Sequence, residues 1–272
     1  MQISAKYIFV SHRKQTIVKS LTKESESGYN YRMNRIEDNS WIIKRPIAHR
    51  GLHDEFLPEN SKAAYENAIK NGYPIEMDIQ LTKDGELVCF HDDNMKRMTG
   101  VDAFVYDKTL SEIREMRLAG TDEGIMTFGE FLKLVGGKVP LMIEIKTTAR
   151  YKEVAEKTVR ALDGYTGEFA VQSFDPRIIK VVRQSAPEII RGQLICRKRH
   201  KGVAYYKDFL LRHGLLNFLS KPDFINMNVE CLPVPKRIKR GRRVISWTIR
   251  TESDKEKAYK YAENVIFEKM RI

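Results

Sequence analysis

The feature that most constrains this chain is a rhythm that begins at Pro46: short apolar, β-branched runs alternate with amphipathic stretches over the remaining sequence. Such runs mark repeated βα units, because two parallel strands need a crossover long enough to hold a helix. Eight runs qualify, at 46–50, 74–78, 141–146, 169–174, 190–195, 224–228, 244–249 and 264–268. Helical periodicity falls between them at 61–70, 128–135, 151–162, 177–185 and 254–262, with Ser61 placed as an N-cap. Eight strands joined in this way within 272 residues predict an α/β chain folded as a (β/α)8 barrel of the TIM type.

One segment breaks the alternation. After Asp78 the chain continues apolar through 79–82, turns at Lys83-Asp84-Gly85 and returns at 86–90, and Asp-Gly between apolar runs is a hairpin signal. Residues of about 79–139 therefore read as a small hairpin and helical insertion after the second strand, with a helix at 110–118. Residues 1–45 show no sustained alternation and read as an N-terminal extension to a barrel of 46–272. Only residues 269–272 follow the eighth strand, too few for a closing helix, so the extension is expected to cover that side of the barrel.

Composition narrows the class. No apolar run approaches the roughly 20 residues of a membrane-spanning helix. The apolar patch at 7–10 runs straight into His12, Arg13 and Lys14, where a secretory signal would carry its cleavage site. Three widely spaced cysteines, Cys89, Cys196 and Cys231, suit a reduced compartment rather than a disulfide framework or a zinc site, and the chain is placed in the cytoplasm. Of the net charge of +12, residues 191–243 alone contribute +11, most densely at Lys236, Arg237, Lys239, Arg240, Arg242 and Arg243. That stretch is a solvated charged loop or a weak contact for an anionic membrane surface. No RRM, zinc-finger or basic-zipper pattern accompanies it, so nucleic acid is not an expected partner.

The chemistry-bearing residues all sit at strand C-termini, where a barrel keeps its active site. The first strand ends His49-Arg50-Gly51, the second carries Glu76 and Asp78, the third Glu144 and Lys146, and the hairpin returns with His91-Asp92. Residues i and i+2 of a strand share a face, so Glu76 with Asp78, and Glu144 with Lys146, project together into the interior. Three carboxylates brought together repel unless a cation sits among them, and oxygen donors without cysteine favour Mg²⁺ or Ca²⁺. Two histidines beside such an ion can give and take protons near neutrality, and Arg50 and Lys146 can balance phosphate oxygens. The set reads as phosphoester cleavage. Singly, each residue has a plainer account: a hydrogen-bonding histidine, a Glu144–Lys146 ion pair, a core Trp247. Their conjunction at strand ends favours catalysis.

At these residues the chain resembles the glycerophosphodiester phosphodiesterase family. The matching text is Ile47-Ala48-His49-Arg50-Gly51, Pro58-Glu59-Asn60-Ser61, residues 76–85, Phe90-His91-Asp92, Ile143-Glu144-Ile145-Lys146, residues 171–174 and Trp247-Thr248, in order over about 46–268. The resemblance implies a metal-dependent hydrolase of lipid and glycerol metabolism that converts a small glycerophosphodiester into an alcohol and glycerol 3-phosphate. It implies Glu76, Asp78 and Glu144 as ligands of Mg²⁺ or Ca²⁺, His49 and His91 as the acid–base pair, and Arg50 and Lys146 on the phosphate. Glu59 and Asn60 would order the first loop, and Trp247 would support the site. Arg250 stands where many members have Asn, and the last strand ends Phe267-Glu268 rather than Thr-Asp. Two other readings compete: a related barrel phospholipase D acting on lysophospholipid or sphingolipid head groups, and a non-catalytic barrel that binds polyanions or membranes.

Overall fold

A computed structural model describes residues 35–199 and 203–272. Its nine strands are β1 (Ile47–Ala48), β2 (Ile75–Leu81), β3 (Leu87–Cys89), β4 (Leu141–Ile145), β5 (Phe169–Ser173), β6 (Arg191–Ile195), β7 (Phe224–Asn228), β8 (Arg243–Ile249) and β9 (Asn264–Phe267). They run in the order β1-β9-β8-β7-β6-β5-β4-β2, and β1 pairs β2 in parallel to close the ring; β3 is antiparallel on the end of β2. Eight parallel strands thus form the barrel expected from the sequence, and the hairpin follows its second strand in the register Ile79↔Cys89 and Leu81↔Leu87.

The period of two sorts each strand. Ile75, Met77 and Ile79 of β2, with Ile143 and Ile145 of β4, are fully buried in the outer core against the helices, which leaves Glu76, Asp78 and Glu144 pointing inward. Low in the barrel the inward residues are apolar: Ile47, Met142, Ala170, Phe224, Ile245 and Ile266 form a layer of their own. The open floor beneath that layer is stopped by Ile36, Trp41 and Ile42. Ser40 caps the one-turn helix Trp41–Lys44, and Asn264 donates to the carbonyls of Ile42 at 2.8 Å and Arg45 at 2.7 Å, tying the stopper to β9. Gly192 is required here, since a Cβ would lie 2.2 Å from the Phe224 ring.

Trp41, only 7 % exposed, is the largest side chain of the stopper. Trp41→Ala is expected to cost about 3–5 kcal/mol in a denaturant titration, the usual range for emptying a buried aromatic site. A change below about 1 kcal/mol would show that the floor does not depend on it.

Three expectations are corrected. Ile36, Trp41 and Ile42 pack into the barrel's own apolar layer, so residues 35–45 belong with the barrel rather than to a separate extension. These residues stop the floor and do not cover the outer face of the last strand. That face is covered by the C-terminal residues themselves: Tyr73 stacks edge-on to Phe267 at 5.0 Å and donates its hydroxyl to the Ile272 carbonyl at 2.7 Å, while Met270 and Ile272 pack alongside. The rest of the extension, 1–34, lies outside the described residues. The insertion helix spans Leu110–Arg114 and stops short of residue 118, because Met116 and Leu118 turn inward to a satellite core with Val88, Phe90 and Met95. The basic stretch of 236–243 contains a single helical turn, Lys236–Lys239, with Ile238 buried. It leads into the start of β8, where Arg243 pairs with Asp38 of the stopper, so it lies at the closed end of the barrel. Among the described residues no helix is long and apolar enough to cross a membrane.

Candidate active site

Two backbone bends carry the first-loop residues to the mouth. Arg50 and Gly51 have φ of 54° and 81°, and at Gly51 any Cβ would meet the Ala64 backbone at 2.9 Å. The bend aims the Arg50 N–H at Glu76 Oε2, 3.0 Å away, and swings the guanidinium to Glu59 Oε1 at 2.6 Å and to within 3.6 Å of Asp78 Oδ2. Asn60, also left-handed at φ 54°, donates its amide to Asp78 Oδ2 at 2.9 Å, and the Tyr65 hydroxyl fixes that amide from behind at 2.8 Å. Asn60 thus bonds one of the acids directly, while Glu59 holds the Arg50 guanidinium beside them.

The metal-type cluster forms across two neighbouring strands. Asp78 and Glu144 are register partners on β2 and β4. One oxygen from each of Glu76, Asp78 and Glu144 lies within 4.8 Å of the others, and all three residues are buried. Lys146 reaches Glu144 Oε1 at 2.8 Å and Asp78 Oδ1 at 3.4 Å. Burial, then the charges of Asp78 and Glu144, push the Glu76 carboxyl well above the usual range. Asp78 is held well below it, because Lys146, His91 and Arg50 outweigh its burial. The acids thus carry more negative charge than the two cations settle, which is the donor set a hard divalent ion fits.

His49 is 7 % exposed, with Nδ1 2.5 Å from Glu268 Oε2 and Nε2 3.9 Å from Glu76 Oε2. Burial lowers its pKa to about 4, more than the Glu268 carboxylate raises it, so the ring is neutral at neutral pH. His91 sits on the insertion side with Nδ1 2.6 Å from Asp92 Oδ1. Gln80, pointing back from β2, donates to the carbonyls of Phe90, His91 and Asp92 at 3.0, 3.1 and 2.8 Å and pins that loop. Arg97 clamps the same loop to the first one, bonding Asp92 at 2.5 Å and Glu59 at 2.6 Å. Trp247 is half-buried above the apolar layer, edge-on to Phe174 at 5.6 Å, so it belongs to the core and to the mouth wall together.

Every residue singled out in the sequence as catalytic, ligating or phosphate-binding lies on this one end of the barrel. Sequence reasoning gave no role to Gln80, Arg97, His53 or Glu268. Gln80 acts on loop carbonyls 10 to 12 residues on, and Arg97 ties Asp92 to Glu59, 38 residues before it. Glu268 had a signal, its position at the C-terminal end of the last strand, where the other strands carry their chemistry.

An eight-stranded parallel barrel whose acids, imidazoles and cations gather at the strand C-termini is a TIM-barrel enzyme. The chain belongs to the glycerophosphoryl diester phosphodiesterase family, whose sequence model matches residues 49–270. It is 33 % identical over 227 residues to the glycerophosphodiester phosphodiesterase of Caldanaerobacter subterraneus, covering 79 % of this chain and 89 % of that one. It is 25 % identical over 245 residues to the Bacillus subtilis glycerophosphodiester phosphodiesterase, covering 81 % and 82 %. Among solved structures, an Oleispira antarctica phosphodiesterase in complex with the product sn-glycerol-3-phosphate superposes with a TM-score of 0.69 at 24 % identity, covering 83 % of this chain and 93 % of that one.

Proposed function

We propose that this enzyme hydrolyses glycerophosphodiesters to an alcohol and glycerol 3-phosphate, and that it works with a divalent cation, Mg²⁺ or Ca²⁺, held by Glu76, Asp78 and Glu144. The observation that carries the reading is the meeting of three buried carboxylates with His49, Arg50 and Lys146 in one barrel mouth. The names of the relatives support the substrate class. The ion, when bound, would polarise the phosphoryl group and offset its charge.

The protein's own groups account for the remaining steps. Arg50 and Lys146 draw the diester phosphate into the mouth and balance its non-bridging oxygens. Neutral His49 accepts a proton from the attacking water as its oxygen forms the new bond to phosphorus. His91, oriented by Asp92, gives a proton to the alkoxide that leaves as the P–O bond to the head group breaks. The catalytic chemistry in this reading lies within 46–272, with the insertion of about 79–139 supplying His91 and residues 35–45 only closing the far end, and its setting is the cytoplasm. Contact of Lys236, Arg240 or Arg243 with an anionic surface would present the closed end and leave the mouth facing away.

The test is turnover of glycerophosphocholine, glycerophosphoethanolamine and lysophosphatidylcholine with Mg²⁺ or Ca²⁺ added back. The deacylated diesters are expected to be cleaved with release of glycerol 3-phosphate. A strong preference for lysophosphatidylcholine would move the enzyme to the phospholipase D reading, and no metal-dependent turnover of any of them would leave a binding barrel.

A further inference from the structure

The carboxylate that follows β9 meets three nitrogen groups at once. Glu268 Oε2 lies 2.5 Å from His49 Nδ1 and 3.6 Å from His53 Nε2, and Arg250 Nε donates to Oε1 at 2.5 Å. The adjacency is built by the sheet: β8 and β9 are neighbours, Arg250 directly follows β8, and the Glu268 N–H donates to the Ile249 carbonyl at 3.0 Å. Glu268 is itself 8 % exposed. Although burial alone would raise it, the bonds from His49 and Arg250, with the His53 nitrogen 3.6 Å away, keep its carboxyl well below the usual range.

A neutral imidazole carries one proton and must choose between its two nitrogens. A carboxylate against Nδ1 holds the proton there and leaves the lone pair on Nε2, the nitrogen on the Glu76 side. Arg250 occupies the other oxygen, so the carboxylate cannot rotate away from the ring. His49, His53 and Glu268 also present donor atoms within 4.8 Å of one another, but a guanidinium already bound to the same carboxylate sets a fixed positive charge against a second metal ion.

We propose that Glu268 is a positioning residue that fixes the orientation and tautomer of His49, and that Arg250 anchors Glu268 for this task. The proposal rests on His49 being the proton acceptor of the reaction above. The fold brings the two side chains into contact: the one at 268 supplies the acceptor, and the one at 250 holds it.

Glu268→Gln keeps the volume but has one acceptor oxygen, which cannot serve both Arg250 and His49. It is expected to lower kcat by about 10–100-fold, as loss of an orienting partner does, with KM and Ca²⁺ affinity within about twofold of wild type. Arg250→Ala, at an exposed side chain, should fold normally and lower kcat by less, and should add little in the Glu268→Gln background. In ¹⁵N-histidine NMR spectra the wild-type His49 ring should report a protonated Nδ1, and the Glu268→Gln ring a mixture or the opposite tautomer. Wild-type kcat or an unchanged His49 ring signature in Glu268→Gln overturns the proposal. The ring is read without substrate, so if the wild-type enzyme cleaves no glycerophosphodiester, the proposed reaction fails separately and the spectrum still decides the role of Glu268.

Discussion

Exhaustive removal of divalent metal with EDTA should abolish turnover, and Mg²⁺ or Ca²⁺ should restore it. Three carboxylates whose oxygens lie within 4.8 Å of one another, in residues shut off from water, are held at a cost, and Arg50 and Lys146 neutralise only part of their charge. The upward push on the Glu76 carboxyl is the sign of that excess. It also fixes a direction: the carboxyl that takes up a proton without the ion must give it up on binding, so metal titration should release protons. Calorimetry in two buffers of different ionisation enthalpy reads this release. Asp78→Ala, which removes the acid that Asn60, Arg50 and Lys146 all hold, should lose the same activity. Full turnover after thorough chelation would remove the ion from the mechanism and leave the acids as a structural ion-pair cluster.

His49→Ala is the second large effect, expected to lower kcat by about 10²–10⁴-fold, the range for a positioned base, with the fold intact by circular dichroism. The ring is fixed by Glu268 on one nitrogen and turns the other toward the acids. Its pH behaviour follows from burial, which lowers its pKa to about 4. The accepting form is therefore complete at neutral pH, and the contribution of this base is lost as the pH falls through 4, below the value of about 6.5 for an open imidazole. Unchanged kcat in His49→Ala would take the residue out of the reaction.

Much of the barrel was legible because a parallel strand buried on both faces must be apolar and β-branched, and eight such runs leave few other ways to fold. Glu76 and Asp78 stood out by the same logic: an acid in such a run needs a reason, and the period of two put both on the inner face. The stopper at Ile36, Trp41 and Ile42 was not legible, since three apolar residues in a polar stretch have no periodicity until the barrel offers them a floor. The insertion helix was read too long because Met116 and Leu118 continue an apolar pattern that a turn, rather than a helix, delivers to the satellite core. The basic stretch was legible as charge, yet its distance from the mouth depends on which end of β8 it adjoins.

The sequence alone determined the chemistry available to this protein: oxygen donors, two imidazoles and two cations, each at the end of a strand whose face was set by local backbone geometry. Only the tertiary structure decided which of them touch. The bond from His49 to Glu268 spans 219 residues, and that from Arg50 to Glu59 depends on a left-handed bend. Alternation along a strand is a local property written residue by residue. The meeting of the first strand with the last exists only once the sheet has closed on itself and its register has set their height.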